Sequence, residues 1–323
     1  MVPLREADER HGGKAANLAW LIRHGQRVPD GVVVSASDDP ALDGWISEHQ
    51  AYAVRSSASV EDSAQHSFAG QFDTELAVVG RDAIARAIDE VIASGHDQRL
   101  APYLEHAGTL GADIEMHVVV QAMVSAVSSG VAFSRNPLTG LSDVLIEAVK
   151  GTGERLVSGQ ATPERWVRHW GDWTDRPDDP DLPEAVAAKL ADTVIAVAED
   201  WGGPVDIEWA WDGEVVYLLQ VRPMTATDVT VYSNRLAKEF LPGVIPPLVW
   251  SVNIPIVNSA WLDLFTAAVG ELDLEPEDLS RQFAYRAYFN MSAVGDIFEA
   301  MAMPGDLRAV LFGIEGGESR PRF

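Results

Sequence analysis

Between Val205 and Arg222 the chain reads Val-Asp-Ile-Glu-Trp-Ala-Trp-Asp-Gly-Glu-Val-Val-Tyr-Leu-Leu-Gln-Val-Arg, and few local structures accommodate that pattern. Strand side chains alternate with period two, so Val205, Ile207 and Trp209 share one face while Asp206 and Glu208 share the other. Asp212-Gly213 marks a reversal. The return strand carries the sets Val215, Tyr217, Leu219, Val221 and Val216, Leu218, Gln220, Arg222. Loop length decides which sets coincide. A two-residue Asp212-Gly213 turn aligns Glu208 with Tyr217 and sends Gln220 to the opposite face. A three-residue loop, Trp211-Asp212-Gly213 with Gly213 left-handed in a G1 bulge, aligns Glu208 with Val216. The three-residue loop is preferred because it leaves one apolar face for the core and gathers Asp206, Glu208, Gln220 and Arg222 on the other. Two acids, an amide and an arginine suit a magnesium ion and a phosphate. The plainer alternative is a solvent-facing sheet edge whose charges merely pair.

Any phosphate site here has to be built from local cations, because the formal net charge is −25. That field repels polyanions at long range, which argues against broad nucleic-acid binding and against anionic membranes. Arg far outnumbers Lys, and the only lysines are Lys14, Lys150, Lys189 and Lys238. There is no cysteine, which excludes disulfides, thiolate metal sites and a cysteine nucleophile together. No uninterrupted apolar run approaches the roughly 20 residues of a membrane helix, and the N-terminal stretch is too acidic for a signal peptide. A cytoplasmic location is expected. At 323 residues with 47% hydrophobic content, about two domains are expected.

Three segments ahead of the hairpin carry candidate site residues. His11-Gly12-Gly13-Lys14 runs into the helix formers Ala15 to Ile22, and a glycine loop entering a helix lets backbone and lysine approach an anion. Gly-Gly-Lys alone is equally a plain turn with a surface lysine. Ala51 to Val54 reads as a buried strand ending on Arg55-Ser56-Ser57-Ala58-Ser59, where a guanidinium and hydroxyls make a compact anion site, or else a capping serine cluster beside a surface arginine. Ser67 to Thr74 reads as a small-residue loop with aromatic shoulders.

Arg81 to about Leu110 is helical in pattern, with Ile84, Ala87, Ile88, Val91 and Ile92 on one face. Short apolar strands follow over Glu115–Val124, Ser129–Phe133 and Val144–Ala148, and Gln121 in the first of them suits an adenine hinge or simply a core strand. Trp173–Pro183 reads as an acidic linker and Pro183–Trp201 as a helix. After Pro223 the composition changes to helical runs with many aromatics, and the end at Phe323 reads as a cut within a larger domain.

Taken in order, Gly12-Gly13-Lys14-Ala15-Ala16-Asn17-Leu18, Val54-Arg55-Ser56-Ser57-Ala58, Ser67-Phe68-Ala69-Gly70-Gln71, Ser129-Gly130-Val131-Ala132-Phe133, Asn136-Pro137-Leu138-Thr139-Gly140, Asp206-Ile207-Glu208-Trp209 and Leu219-Gln220-Val221-Arg222-Pro223 form a recognisable set. They resemble the N-terminal ATP-binding domain shared by phosphoenolpyruvate synthase, pyruvate phosphate dikinase and rifampicin phosphotransferase. The resemblance implies an α+β, ATP-grasp fold of two lobes (1–75 and 76–226), followed by a partial, mainly helical domain over 229–323. It implies that Lys14, Arg55 and Arg222 hold phosphates as catalytic residues, and that Gly70 and Thr74 lie in a phosphate-covering loop. Gln121 would lie near the adenine, and Glu208, Gln220 and Asp206 would hold Mg²⁺ and nucleotide.

The family reaction cleaves ATP to AMP and phosphate, passing the β-phosphate to a carrier histidine and then to pyruvate or another small acceptor. This chain departs from the family in two places. The stretch between Lys14 and Arg55 is shorter than usual, and no histidine follows a serine, whereas the family's carrier histidine lies in a Ser-His pair on a swivelling domain. The carrier is therefore expected on another domain or chain. The Leu-Pro-Gly and Pro-Leu-Val-Trp-Ser run after Pro223 is more similar to rifampicin-phosphotransferase-like proteins. Two other functions fit the same residues: an ATP-grasp ligase forming an acyl phosphate and ADP, and a nucleotide-binding module without chemistry.

Overall fold

The computed structural model describes residues 1–35, 45–58, 74–95, 116–137, 140–153, 162–169, 171–224, 230–234, 237–238, 241–270 and 274–301. The chain divides into two compact units. The first comprises residues 1–134, 146–165 and 177–225, and the second comprises 135–145, 166–176 and the chain from 226.

Unit 1 is α+β and holds an antiparallel five-stranded sheet in the order β1-β2-β5-β3-β4. Its strands are β1 (Val2–Pro3), β2 (Gly31–Ser35), β3 (Ala51–Ala58), β4 (Thr74–Val79) and β5 (Met116–Ala122). The valine runs of β2 and β5 favour a pleated, buried conformation, and their alternation gives the sheet two faces. Val32, Val34, Tyr52, Val54, Val118 and Val120 pack against Ile84, Ala87, Ile88 and Val91 of helix α2 (Arg81–Ser94). Those four are one stripe of a 3.6-residue period, and each contributes roughly 1.5–3 kcal/mol by leaving water, less for the alanine. The register places Arg55, Ser57, Val119 and Gln121 on the other face.

Helix α1 (Gly13–Arg23) is anchored on β3. The Ser57 hydroxyl donates to the His11 carbonyl at 2.8 Å and accepts from Ala15 N–H at 3.0 Å, satisfying a helix N-terminal donor. Gly12 sits between them with φ of +85°, and a β-carbon there would lie 2.2 Å from the Ser57 carbonyl oxygen.

The second sheet of unit 1 contains, in order, β11 (Val216–Pro223), β10 (Val205–Trp211), β6 (Ser128–Phe133) and residues 146–150 of β7 (Asp143–Lys150). Helix α3 (Glu184–Trp201) packs on β10. The first sheet extends beyond residue 75, where a lobe boundary was expected. Strands β4 and β5 complete it because β5 inserts between β2 and β3. Two further boundaries shift. Arg55, Ser56 and Ser57 lie inside β3 rather than beyond its end, held by pairing with β5, and α2 stops at Ser94, with residues 96–115 outside the described set.

In unit 2, Val167, Arg168 and His169 of β8 (Glu164–His169) pair with β9 (Asp172–Asp175), so Trp173 belongs to a strand rather than the expected linker. Buried Asp143 and His169 are hydrogen-bonded to each other there. A three-stranded sheet, β12 (Tyr232–Ser233), β14 (Arg286–Asn290) and β13 (Ser280–Phe283), accompanies helices α4 (Pro247–Val269), α5 (Pro276–Leu279) and α6 (Met291–Ala300). Their core is Leu279, Val294, Ile297 and Phe298 with Trp261 and Phe265.

Helix α4 corrects one expectation, because Pro247–Ala267 is long and apolar enough by length and composition to cross a membrane. It also carries Pro255, Asp263 and the buried Asn258, whose amide donates to the Pro276 carbonyl at 2.7 Å and whose oxygen accepts from Ser280 at 3.1 Å.

The anchoring of α1 predicts that Gly12→Ala destabilises the chain by about 2 kcal/mol or more, combining left-handed strain with a backbone clash. Urea unfolding of parent and variant measures it, and a loss under about 0.5 kcal/mol would contradict the packing described.

Candidate functional site

The β10–β11 hairpin reverses through four residues. Asp212 N–H bonds the Val215 carbonyl, the Asp212 carboxylate accepts from Glu214 N–H at 2.8 Å and Val215 N–H at 2.7 Å, and Gly213 takes φ of +106°. This corrects the three-residue loop. Trp211 faces Val216, Ala210 faces Tyr217 and Trp209 faces Leu218. A bulge then intervenes, Leu219 has no partner on β10, and Glu208 faces Gln220 rather than Val216.

The extra residue flips the alternation. Leu218 joins Ile207, Trp209 and Val221 in the core, whereas Tyr217 and Leu219 are only partly buried despite the alternation that assigned them there. Asp206 faces Arg222, and Glu208 faces Gln220, so all four candidate side chains share one face.

Arg55 reaches this face from the first sheet. Its Nη2 donates to Glu208 Oε2 at 2.8 Å and Gln220 Oε1 at 2.6 Å, and its Nη1 donates to the Leu219 carbonyl at 2.9 Å. Bulging leaves that carbonyl without a partner residue across the hairpin, and the guanidinium takes it. Arg222 Nε and Nη2 both bind Asp206 Oδ2, at 2.7 and 2.6 Å. Lys14 is buried in the first turn of α1. The Asn17 amide donates to the Val221 carbonyl at 3.0 Å, and Leu218 N–H bonds the Arg27 carbonyl at 2.8 Å. Those two bonds fix α1 and the following turn against β11.

The two acids respond oppositely to this setting. Burial raises the Asp206 carboxyl above its ordinary value; the charge and hydrogen bond of Arg222 pull it down without offsetting the burial, and Glu208 adds a smaller repulsion. Burial also pushes Glu208 upward, but the charges of Arg55, Lys14 and Arg222 outweigh it and its carboxyl is lowered.

The remaining expected residues are distributed as follows. Thr74 faces Arg55 from β4 and is exposed. Gln121 is buried on the Arg55 face of the first sheet, two residues along from Val119, and donates to the Pro29 carbonyl at 3.2 Å. Gly70 lies outside the described residues. Neither hydroxyl expected to add a phosphate donor faces that way freely: Ser57 is committed to α1, and Ser56 follows Val54 onto the opposite face. Asn17 and the Leu219 carbonyl were not anticipated; Asn17 lies within the Gly-Gly-Lys helix, but nothing local assigns its partner.

Oxygen donors from two acids and an amide suit a hard cation such as Mg²⁺, and three cationic side chains beside them suit phosphate. Among the described residues no group of three or more His, Asp or Glu side chains converges as a metal site. A cation here therefore needs further oxygens, which phosphate supplies.

The chain matches the family described as pyruvate phosphate dikinase, AMP/ATP-binding domain, over residues 41–174 and 170–238. The match includes Arg55 and the whole hairpin and begins after Lys14. A probable phosphoenolpyruvate synthase of Archaeoglobus fulgidus is 33% identical over 200 residues, covering 54% of this chain and 27% of that protein. A rifampicin phosphotransferase of a Streptomyces species is 34% identical over 252 residues, covering 69% of this chain and 29% of that protein. The chain thus spans under a third of the length of these two relatives. Among solved structures, an L-amino acid ligase from Bacillus licheniformis aligns with TM-score 0.41 and 13% identity over 66% of this chain and 43% of that one.

The opposed carboxyl shifts predict opposite pH signatures without ligand. Glu208, lowered on folding, stabilises the protein above the ordinary carboxylate range and loses that contribution as pH falls through its lowered value. Asp206, raised on folding, favours the folded state most below that range and loses the advantage as pH rises through its raised value. Glu208→Gln is therefore expected to cost about 1 kcal/mol at neutral pH, allowing for solvent screening of a partly exposed side chain, and less in acid. Asp206→Asn, which leaves Arg222 without its carboxylate, is expected to cost less at neutral pH than in acid. Urea unfolding across the acid range measures both, and parallel pH profiles for the two variants would contradict this electrostatic picture.

Proposed function

The chain belongs to the pyruvate phosphate dikinase AMP/ATP-binding domain family, and from that membership we propose that it binds Mg-ATP as the nucleotide-binding part of a dikinase-type phosphotransferase. The observation that carries this reading is the meeting of Arg55 with Glu208 and Gln220, which joins cationic and oxygen-donor side chains from two sheets at one place. We read the two sheets of unit 1 as the two lobes of an ATP-grasp fold.

Arg55, Arg222 and Lys14 bind phosphate oxygens in this reading, with the guanidiniums offering paired donors and Lys14 adding its charge at a helix N-terminus. Glu208 and Gln220, with Asp206, hold Mg²⁺, which supplies charge neutralisation between the acids and the polyphosphate. Gly70 and Thr74 cover the phosphates, and Gln121 lies toward the adenine. The reaction transfers the β-phosphate to a histidine, leaving AMP and inorganic phosphate, and the phosphohistidine then serves pyruvate or another small acceptor. The histidine comes from a carrier domain beyond this chain, because none of the eight here follows a serine. A cytoplasmic setting without nucleic-acid or membrane partners completes the proposal.

Incubation with β-labelled and γ-labelled ATP, with and without a swivelling histidine domain, tests the reaction. Alone, the chain is expected to form AMP slowly. With the domain, AMP formation rises and label from the β-position appears on the domain. Label from the γ-position with ADP as product would favour a ligase or ordinary kinase, and binding without any labelling would favour a regulatory module. Arg55→Ala is expected to weaken nucleotide binding about tenfold or more with or without metal, and Glu208→Ala to abolish most of the Mg²⁺ dependence. Equal affinity of the parent for ATP in EDTA and in Mg²⁺ would remove the metal role.

A further inference from the structure

Two oxygens, Glu208 Oε2 and Gln220 Oε1, point at a single nitrogen, Arg55 Nη2, from 2.8 and 2.6 Å. They come from directly opposed residues of one hairpin, so the backbone holds their side chains adjacent. The place where they converge is a place for one positive charge. Magnesium binds oxygen at about 2.0–2.1 Å, and an ion held by both oxygens at once would take the point where they converge, which Nη2 now holds, against the repulsion of that guanidinium.

We propose that Arg55 is a displaceable latch that competes with the divalent cation for Glu208 and Gln220, so that cation and triphosphate are taken up together rather than one after the other. The proposal rests on the Mg-ATP reading above and specifies how that site is regulated. A cation arriving alone must evict a guanidinium that then loses its carboxylate, while a triphosphate arriving alone must approach two carboxylates, Asp206 and Glu208. Arriving together they exchange partners. The cation takes the carboxylate and amide oxygens, and Arg55 turns to phosphate, for which its planar fork is well matched.

The Leu219 carbonyl, 2.9 Å from Nη1, keeps one side of the guanidinium on β11 during that exchange. Arg222 is paired differently. Its Nε and Nη2 bind the single Oδ2 of Asp206, a residue of the same hairpin, whereas Arg55 reaches across from the first sheet.

Calorimetry with Mg²⁺ alone, with the β,γ-imido analogue of ATP alone and with both tests the proposal on the full chain. In the parent, the analogue is expected to raise Mg²⁺ affinity about tenfold or more. Arg55→Met is expected to bind Mg²⁺ alone about tenfold more tightly than the parent, and the analogue then raises its Mg²⁺ affinity by a smaller factor than in the parent, because phosphate oxygens still ligate the cation but no guanidinium has to leave. Arg55→Lys, which keeps the charge and cannot span the three acceptors, falls between them and carries the test if Arg55→Met fails to fold by circular dichroism. Lys14→Met removes a nearby positive charge without removing the contact and is expected to change Mg²⁺ affinity less than Arg55→Met. The gain is also expected to vanish in Arg55→Met combined with Glu208→Gln.

Equal gains from Arg55→Met and Lys14→Met, or no gain from removing Arg55, would overturn the latch. Failure of the Mg-ATP reading appears separately, as absence of analogue binding to the parent in Mg²⁺. The Mg²⁺-alone comparison still decides whether Arg55 and the cation compete.

Discussion

One residue, Leu219, decides whether this chain has a site. A hairpin closed by four residues with Trp211 opposite Val216 would, without interruption, set Glu208 against Leu219 and turn Gln220 to the opposite face. The bulge absorbs Leu219, and with it the acids, the amide and Arg222 regain a common side. The same displacement leaves the Leu219 carbonyl without a partner on β10, and Arg55 of the other sheet bonds it. Register, the grouping of charges and the link between sheets thus follow from a single inserted residue.

The electrostatics follow from where the cations lie. A chain with net charge −25 cannot attract a polyphosphate by its overall field, so in the proposed reading that role falls to Lys14, Arg55 and Arg222, which lie near the two acids. The two acids feel those cations unequally. Glu208 is close enough to Arg55, Lys14 and Arg222 for their attraction to exceed the cost of burial, while Asp206 depends mainly on Arg222 and is also repelled by Glu208. The pair therefore holds one firmly ionised carboxylate beside one that gives up its charge more readily, an arrangement that a bound cation would reverse for Asp206.

Alternation made the grouping of Asp206, Glu208, Gln220 and Arg222 legible in the sequence, although by a route that differs from the structure. The expected three-residue loop and the observed four-residue turn differ by one residue, and the bulge adds one more, so the two differences cancel in the facing of Gln220. A bulge in mid-strand has no local signature in Leu218-Leu219, because either leucine serves the core equally well. The stripe of α2 was legible for the same reason as the hairpin, a clear period, and so was the helix over 184–201. Sheet membership was not. Strand β5 lies between β2 and β3 through pairings of distant residues that no local pattern encodes, and the role of Ser57 depends on α1 arriving 42 residues away in sequence.

The ties between the sheets are of two kinds. Ser57 holds the N-terminus of α1 to β3 through its hydroxyl, while Asn17 and the Arg27 carbonyl hold α1 and the turn after it to β11. These are neutral hydrogen bonds to backbone groups, and no ligand charge competes for them. Arg55 makes the other kind of tie, a charged one to Glu208 and Gln220, and it is this contact that the proposed latch exchanges. Because α1 bridges both sheets independently, Arg55 can change partners without the sheets losing their connection. A site whose only inter-sheet link was the exchangeable guanidinium would come apart at the moment of exchange, whereas here the backbone bonds of α1 preserve the geometry in which Arg55, Glu208 and Gln220 meet.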